Sequence, residues 1–450
     1  MGLKQMKLKH RREIRPIRIL PLGFFLVIVI GTLLLKLPIA TRSGAISWFD
    51  AVFTATSASC VTGLTVVDTL EYFSSFGHVV LLLLIQVGGL GFMTMTTFLF
   101  MVMGRHISLR SRVILKEAMG EDNMVSAQKM MRTAVNYTFA IEGAGALLLA
   151  IRFVPRFGWA KGLWYSVFHS ISAFCNAGFD LLGAEGSLQG YVGDPIVNIT
   201  VMLLIILGGL GFVVIHNLVN FRTQHRLLIQ TKIVLWSYVF LIVAGAVLFF
   251  VFEYNNEATM GSLSLGDKLW ASLFQSVTCR TAGFFSVNQA GLTDASKLVS
   301  CIWMLIGAAP GGAAGGLKVT TIMVILLTIR AFIQGKEDVE VLGRRIELSC
   351  VRRALCLFMF AILFVLAAML AISVADPYLS MLDIAYEVCS ALATVGLTDG
   401  VTAMGGMFTK AVLCVFMYFG RVGLLTLVAS LGREESHSVI RYPSGNIMIG

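Results

Sequence analysis

WFDAVFTATSASCVTGL (48–64), WYSVFHSISAFCNAGF (164–179), WASLFQSVTCRTAGF (270–284) and YEVCSALATVGL (386–397) are one pattern written four times. Each stretch opens on an aromatic residue, runs through small and hydroxyl residues, and closes on a glycine followed by Leu or Phe. The closing glycines, Gly63, Gly178, Gly283 and Gly396, are spaced by 115, 105 and 113 residues. A period this even marks internal duplication, and a repeat decides the architecture before any single element does.

What surrounds the four stretches sets the class. The chain of 450 residues is 57% hydrophobic and only 13% charged, with a mean hydropathy of +0.83. A soluble domain carries about 25% charged residues, so this chain cannot cover itself in water. Crossing a bilayer takes about 20 mainly apolar residues. Eight stretches meet that length, near 19–40, 78–103, 133–154, 196–219, 233–254, 298–328, 354–375 and 408–431. The quoted stretches lie between the two spans of each pair and are too short to cross. The expected fold is an all-α polytopic membrane protein of four repeats, each a span, a re-entrant half-helix with its loop, and a second span. Its units are 1–130 with an N-terminal tail, 131–228, 229–348, and 349–450 with a C-terminal tail.

Charge gives the orientation. The net charge is +10, yet it does not point to nucleic acid. The N-terminal tail, the 105–132, 222–232 and 330–353 loops and the tail after 431 hold 24 of the 35 Lys and Arg. With eight spans all five fall on one side, the pattern of the positive-inside rule, so both termini are expected in the cytoplasm of a cell membrane. Residues 1–18 are basic and polar and lead into a stretch long enough to span, unlike a cleaved signal. The eight cysteines are scattered, with no CxxC pair or zinc spacing, and read as buried thiols.

Backbone that stops in mid-membrane is tolerated only where protein or water surrounds it. Four half-helices re-entering from one side therefore predict a shared, pseudo-fourfold central pore. Carbonyl rings can replace an ion's hydration shell, and glycine reaches the backbone conformations such a ring needs. The expected filter is Val61, Thr62 and Gly63; Asn176, Ala177 and Gly178; Thr281, Ala282 and Gly283; and Thr394, Val395 and Gly396. Asp50, Asp267 and Asp383 stand where half-helix caps belong; the second repeat lacks such an acid. Asp68, Asp180 and Asp399 follow filter stretches and are expected at the outer mouth, where fixed negative charge gathers cations. Arg280, three residues before Gly283, reads as structural support.

The second spans also rhyme. Gly88, Gly208, Gly307 and Gly420 follow their filter glycines by 25, 30, 24 and 24 residues; close helix packing is one reading of them, and in the first two repeats a hinge is equally open. The third span alone carries IGAAPGGAAGGLK (306–318), with five glycines and one proline in 307–316. A continuous helix there is disfavoured. The expected gate comprises Gly307, Pro310, Gly311, Gly312, Gly315, Gly316 and Lys318, faced by the intramembrane Arg421.

The four closing motifs, APGGAAGGLK (309–318), FGRVG (419–423) and the terminal IRYPSGNIMIG (440–450) resemble the potassium-translocating membrane subunits of bacterial Ktr systems, in the Trk/Ktr/HKT superfamily. The likeness covers essentially the whole chain. It implies potassium uptake through a channel-like pore, sodium stimulation, a homodimer with one pore per protomer, and an intramembrane gating loop. It also implies a separate cytoplasmic ring of nucleotide-binding regulatory subunits. Plant relatives that favour sodium carry serine at the first filter glycine; Gly63 stands here. Cys60 and Ala393 depart from the family pattern outside the glycine ring. The end of the chain, Ile447 to Ile449, is expected at the dimer interface. An ion-coupled symporter on the same fold is the rival reading. An intramembrane enzyme is not, because His78, His169 and His216 have no carboxylate pair facing them in the pattern.

Overall fold

The computed structural model describes residues 16–42, 44, 46–91, 124–183 and 186–423. The C-terminal tail, with Ile447 to Ile449, lies outside them. The first unit contributes α1 (Pro16–Leu35), α2 (Trp48–Ser59) and α3 (Ser75–Leu90). The second contributes α4 (Met124–Phe157), α5 (Trp159–Phe174), α6 (Pro195–Gly209) and α7 (Phe212–Val219). The third has α8 (Ile229–Glu253), α9 (Leu265–Thr278), α10 (Asp294–Leu305) and α11 (Val319–Ile333), followed by the antiparallel pair β1 (Glu340–Val341) and β2 (Arg344–Arg345). The fourth has α12 (Leu348–Ala375), α13 (Met381–Ala393) and α14 (Met407–Val422).

Among the described residues, three helices are long and apolar enough to cross a membrane, at Thr133–Phe157, Ile229–Glu253 and Leu348–Ala375. They hold Leu147, Trp236, Phe240, Leu363 and Leu370 exposed, a density of bare apolar side chains that suits lipid rather than water. By contrast α2, α5, α9 and α13 have 12, 16, 14 and 13 residues. At 1.5 Å per residue they reach roughly 18–24 Å, short of the ~30 Å hydrocarbon core, and their inner faces are buried.

Local sequence explains how these short helices begin. The Asp50 amide donates to Ser47 Oγ at 3.0 Å, and that hydroxyl donates to the Asp50 carboxylate at 2.7 Å. Ser264 and Asp267 repeat the arrangement, a reciprocal cap of the capping-box kind. The second unit has no room for one. Gly158, at φ +81°, joins α4 to α5 in a single-residue turn, and a Cβ on Gly162 would meet the Phe153 carbonyl at 2.6 Å. Asp383 departs from the capping expectation, because its carboxylate takes Lys297 instead.

Packing follows one rule around the molecule. Each short helix packs on its own unit and on the second span of the unit before it: α5 on α3, α9 on α6 and α13 on α10. The rule wraps round, with α2 against α14.

Two expected spans are not continuous. α6 ends at Gly209, and α7 leaves at 102° to it across Gly211, φ +82°. The 298–328 stretch is α10, the 306–318 loop and α11. Similar ends occur at Gly91 (φ +82°) after α3 and Gly423 (φ +90°) after α14. Each of these three breaks lies three residues past Gly88, Gly208 or Gly420. A Cβ on those glycines would run into the carbonyl of Ser59, Phe174 or Leu392, four residues before Gly63, Gly178 and Gly396 respectively. Close packing at Gly88, Gly208 and Gly420 therefore has a structural counterpart, and at the α6–α7 elbow the chain also changes direction three residues past Gly208.

Candidate functional site

Beyond each short helix the chain turns left-handed at the same two places. Val61, Asn176, Thr281 and Thr394 have φ of 56°, 57°, 68° and 53°, and the glycines two residues on have 98°, 68°, 80° and 92°. Holding a non-glycine residue there costs about 1–2 kcal/mol, so four such pairs require support. Backbone supplies part of it. The amides of Thr62, Ala177 and Val395 each donate at 2.8 Å to Ser57, Ser172 and Ser390 carbonyls, and Ala282 donates to Thr278 at 3.0 Å. Hydroxyls supply more. Ser57 and Ser390 Oγ accept from the Gly63 and Gly396 amides at 3.1 and 3.0 Å. Ser172 and Thr278 donate to the Phe179 and Phe284 carbonyls. These four hydroxyl residues were given no role from sequence, although their recurrence in all four stretches was the signal.

The glycines show how the stretches meet. A Cβ on Gly63 would lie 2.6 Å from the Ala177 carbonyl oxygen, and one on Gly178 2.9 Å from that of Ala282. On Gly283 it would lie 2.5 Å from that of Val395, and on Gly396 it would overlap that of Thr62. Followed in chain order, the fourth contact returns to the first, so the four glycines form a closed ring. Thr62 Oγ1, Asn176 Oδ1 and Thr394 Oγ1 are buried there without a hydrogen-bond partner.

The glycine-rich loop lies against these stretches and the broken spans. Its neck is a parallel bridge between Ile306 and Leu317, with the Gly307 amide on the Leu317 carbonyl at 2.8 Å. Its body leans on the α6–α7 elbow. Ala309 and Ala313 amides donate to the Gly209 and Gly208 carbonyls at 3.1 Å, and the Phe212 amide returns a bond to Gly311 at 3.2 Å. A Cβ on Gly312 would meet the Gly208 and Gly209 carbonyls at 3.0 Å, and one on Gly315 would meet the Ala393 carbonyl at 3.0 Å. Pro310 lies mid-loop, beside Gly311 at φ +76°, and Gly316 takes φ +69°.

Three cations bond to the loop and its neck. Arg421 donates to the Ala313 carbonyl and, from its other nitrogen, to Gly88 and to Gly89 at 3.2 Å. It thereby joins the fourth unit, the loop and the α3 terminus. Lys318 folds back onto the Ala314 and Gly315 carbonyls at 2.8 and 3.3 Å. Arg280 is buried, and its Nη1 donates to the Ile306 carbonyl at 2.9 Å.

The three aspartates expected at the mouth part company. Asp68 is exposed and caps the Thr69–Tyr72 turn of helix through the Glu71 amide at 2.7 Å. Asp180 accepts from the Leu182 amide at 3.1 Å. Asp399 is buried, and Lys297 of α10 reaches it at 3.3 Å while also holding Asp383 at 2.6 Å. Asp399 thus shares one lysine, about 100 residues away in sequence, with Asp383.

A family model described as a cation transport protein, TrkH, matches residues 19–439. The chain is 39% identical to the Ktr system potassium uptake protein B of Bacillus subtilis (strain 168), over the whole of both chains. It is also 39% identical to the potassium/sodium uptake protein NtpJ of Enterococcus hirae, covering 99% of each. Its fold matches the crystal structure of the potassium transporter TrkH from Vibrio parahaemolyticus, with a TM-score of 0.73 at 18% identity over 95% of this chain and 87% of that one. From its repeated stretches to its relatives, the chain belongs to the TrkH family of cation transport proteins.

Proposed function

We propose that this chain takes up potassium through one channel-like pore, built where its four units surround the glycine ring. The closed ring carries the reading. Four short helices end at it, and their C-terminal ends carry partial negative charge that favours a cation. Four stretches with alternating left-handed residues suit a column of inward carbonyls, and the unpartnered oxygens of Thr62, Asn176 and Thr394 add acceptors near it. The relatives named for potassium uptake support the choice of ion, as does glycine at all four ring positions. The name of NtpJ keeps sodium as a second cation, either co-conducted or stimulatory. The units are 1–130, 131–228, 229–348 and 349–450, with both termini cytoplasmic and lipid around the outer helices.

The 306–318 loop is the gate in this reading. Its five glycines and one proline disfavour a continuous helix, and it adjoins a cavity of about 130 Å³ lined by Gly316, Leu317, Lys318, Ala361, Leu392 and Gly423. That cavity gives the loop somewhere to go. A regulatory subunit that binds one loop state better than the other shifts the balance by its differential affinity; a Ktr-type nucleotide-binding ring on a homodimer of this chain is the expected partner. Deleting Gly311 to Gly315 should raise potassium flux in proteoliposomes lacking any regulatory subunit. A deletion variant that elutes as a single species with unchanged or lower flux would remove the loop from gating. The symporter reading predicts an obligatory second ion: clamping voltage while withdrawing sodium should then stop potassium flux, whereas a pore continues to conduct.

A further inference from the structure

We infer that Arg280 ties the third filter stretch to the neck of the 306–318 loop, so that ion selection and gating share one buried guanidinium. The inference rests on the proposed gate and extends it.

Arg280 is the largest fully buried side chain among the described residues. Three residues before Gly283, its backbone carbonyl accepts from Asn176 Nδ2 at 3.2 Å, and the same amide group reaches Thr281 Oγ1 at 3.3 Å. Asn176 and Thr281 are the left-handed residues of two neighbouring stretches, so this contact sets their relative position. At its other end, Arg280 Nη1 holds the Ile306 carbonyl, at the point where Ile306 and Leu317 close the neck. Asn176, Arg280 and Ile306 thus form one chain from filter to loop.

The cost of the arrangement argues that it is more than packing. Arg280 Nε and Nη2 are buried with no partner. A buried cation with unmet donors is destabilising, and an apolar side chain of similar volume often does better there. Beside it lie the phenol of Tyr238 and the thiol of Cys279 rather than a carboxylate. A guanidinium kept in such a place does something that apolar packing cannot, and the one bond its side chain makes among the described residues goes to the loop neck.

The test uses the full chain in proteoliposomes without regulatory subunits, reading basal potassium flux and the potassium-to-sodium ratio together. Arg280→Met should raise basal flux about tenfold, the effect of losing one charge-assisted bond, and lower the ratio in the same variant. Arg280→Lys, which keeps one donor for Ile306, should restore both readings toward the starting protein. Asn176→Ser cuts the other end of the tie and should move both readings even if Arg280→Met does not fold. In the loop-deletion background, Arg280→Met should add no further flux yet still lower the ratio. With the loop intact, a change in flux alone or ratio alone, in variants eluting as single species, overturns the tie. If the loop deletion itself fails to raise flux, the gate reading falls. If the deletion raises flux while Arg280→Met and Asn176→Ser change neither reading, only the tie falls.

Discussion

Replacing Gly63 with serine tests the ring at one defined contact. Gly63 has φ +98°, so any side chain there carries roughly 1–2 kcal/mol of backbone strain. The new Cβ would also lie 2.6 Å from the Ala177 carbonyl oxygen and 3.1 Å from Gly178 Cα. Ordinary heavy-atom contact begins near 3.5 Å, so the Ala177 carbonyl must retreat by roughly 1 Å. That carbonyl belongs to the next stretch, and one substitution therefore disturbs two of the four positions. If the strain of 1–2 kcal/mol is expressed as a difference between the two ions, the potassium-to-sodium ratio falls about 5- to 30-fold. Reversal potentials of reconstituted protein under mixed potassium and sodium measure this directly. Gly91→Ser is the control: Gly91 has φ +82° but no atom within 4 Å of a new Cβ, so it carries similar strain without the crowding. Unchanged selectivity in a folded Gly63→Ser protein, or an equal loss in Gly91→Ser, refutes the reasoning.

Arg421→Ala should raise basal potassium flux by about tenfold or more, since it removes one charge-assisted bond to the loop at Ala313. The rise should stay below that of the loop deletion, because the three backbone bonds between the loop and the α6–α7 elbow remain; tracer influx into proteoliposomes compares the two. Asp376 is held below its usual range by hydrogen bonds from Thr409 Oγ1 and the Gly406 amide, with Tyr378 adding a third. A depressed carboxylate stabilises the fold above the unfolded value of about 3.9 and loses that contribution as pH falls through the folded value. Thermal unfolding in detergent should therefore show Asp376→Asn less stable than the starting protein at pH 7 and nearly level with it once the pH falls well below 4.

The part of this architecture that repeats was legible in the residues. Gly63, Gly178, Gly283 and Gly396 announce themselves by period, and the third loop by its composition. The helix ends before Gly91 and Gly423 and the elbow at Gly211 were not placed by hydropathy, which runs on unbroken through them, although a hinge was an open reading in the first two repeats. The close contact beside the elbow, Gly208 on the Phe174 carbonyl, joins residues far apart in sequence. The same distance hid the partners of Asp399 and Arg280. A carboxylate after a filter motif looks solvated until Lys297 arrives from another unit, and an arginine inside a filter stretch has no visible target until the chain folds Ile306 against it.

The contact of α2 with α14 has a consequence for how the protein is made. α2 ends at Ser59 and α14 begins at Met407, so the first short helix emerges about 350 residues ahead of its outer wall. At synthesis rates of about 5–20 residues per second, that interval lasts roughly 20–70 s. During it the Thr62 carbonyl lacks the Gly396 backbone that closes the ring. Successive units can dock on their predecessors as they enter the bilayer, but the seam between first and last cannot form until synthesis is nearly complete. A nascent chain truncated before Met407 therefore has an open seam between α2 and the missing α14.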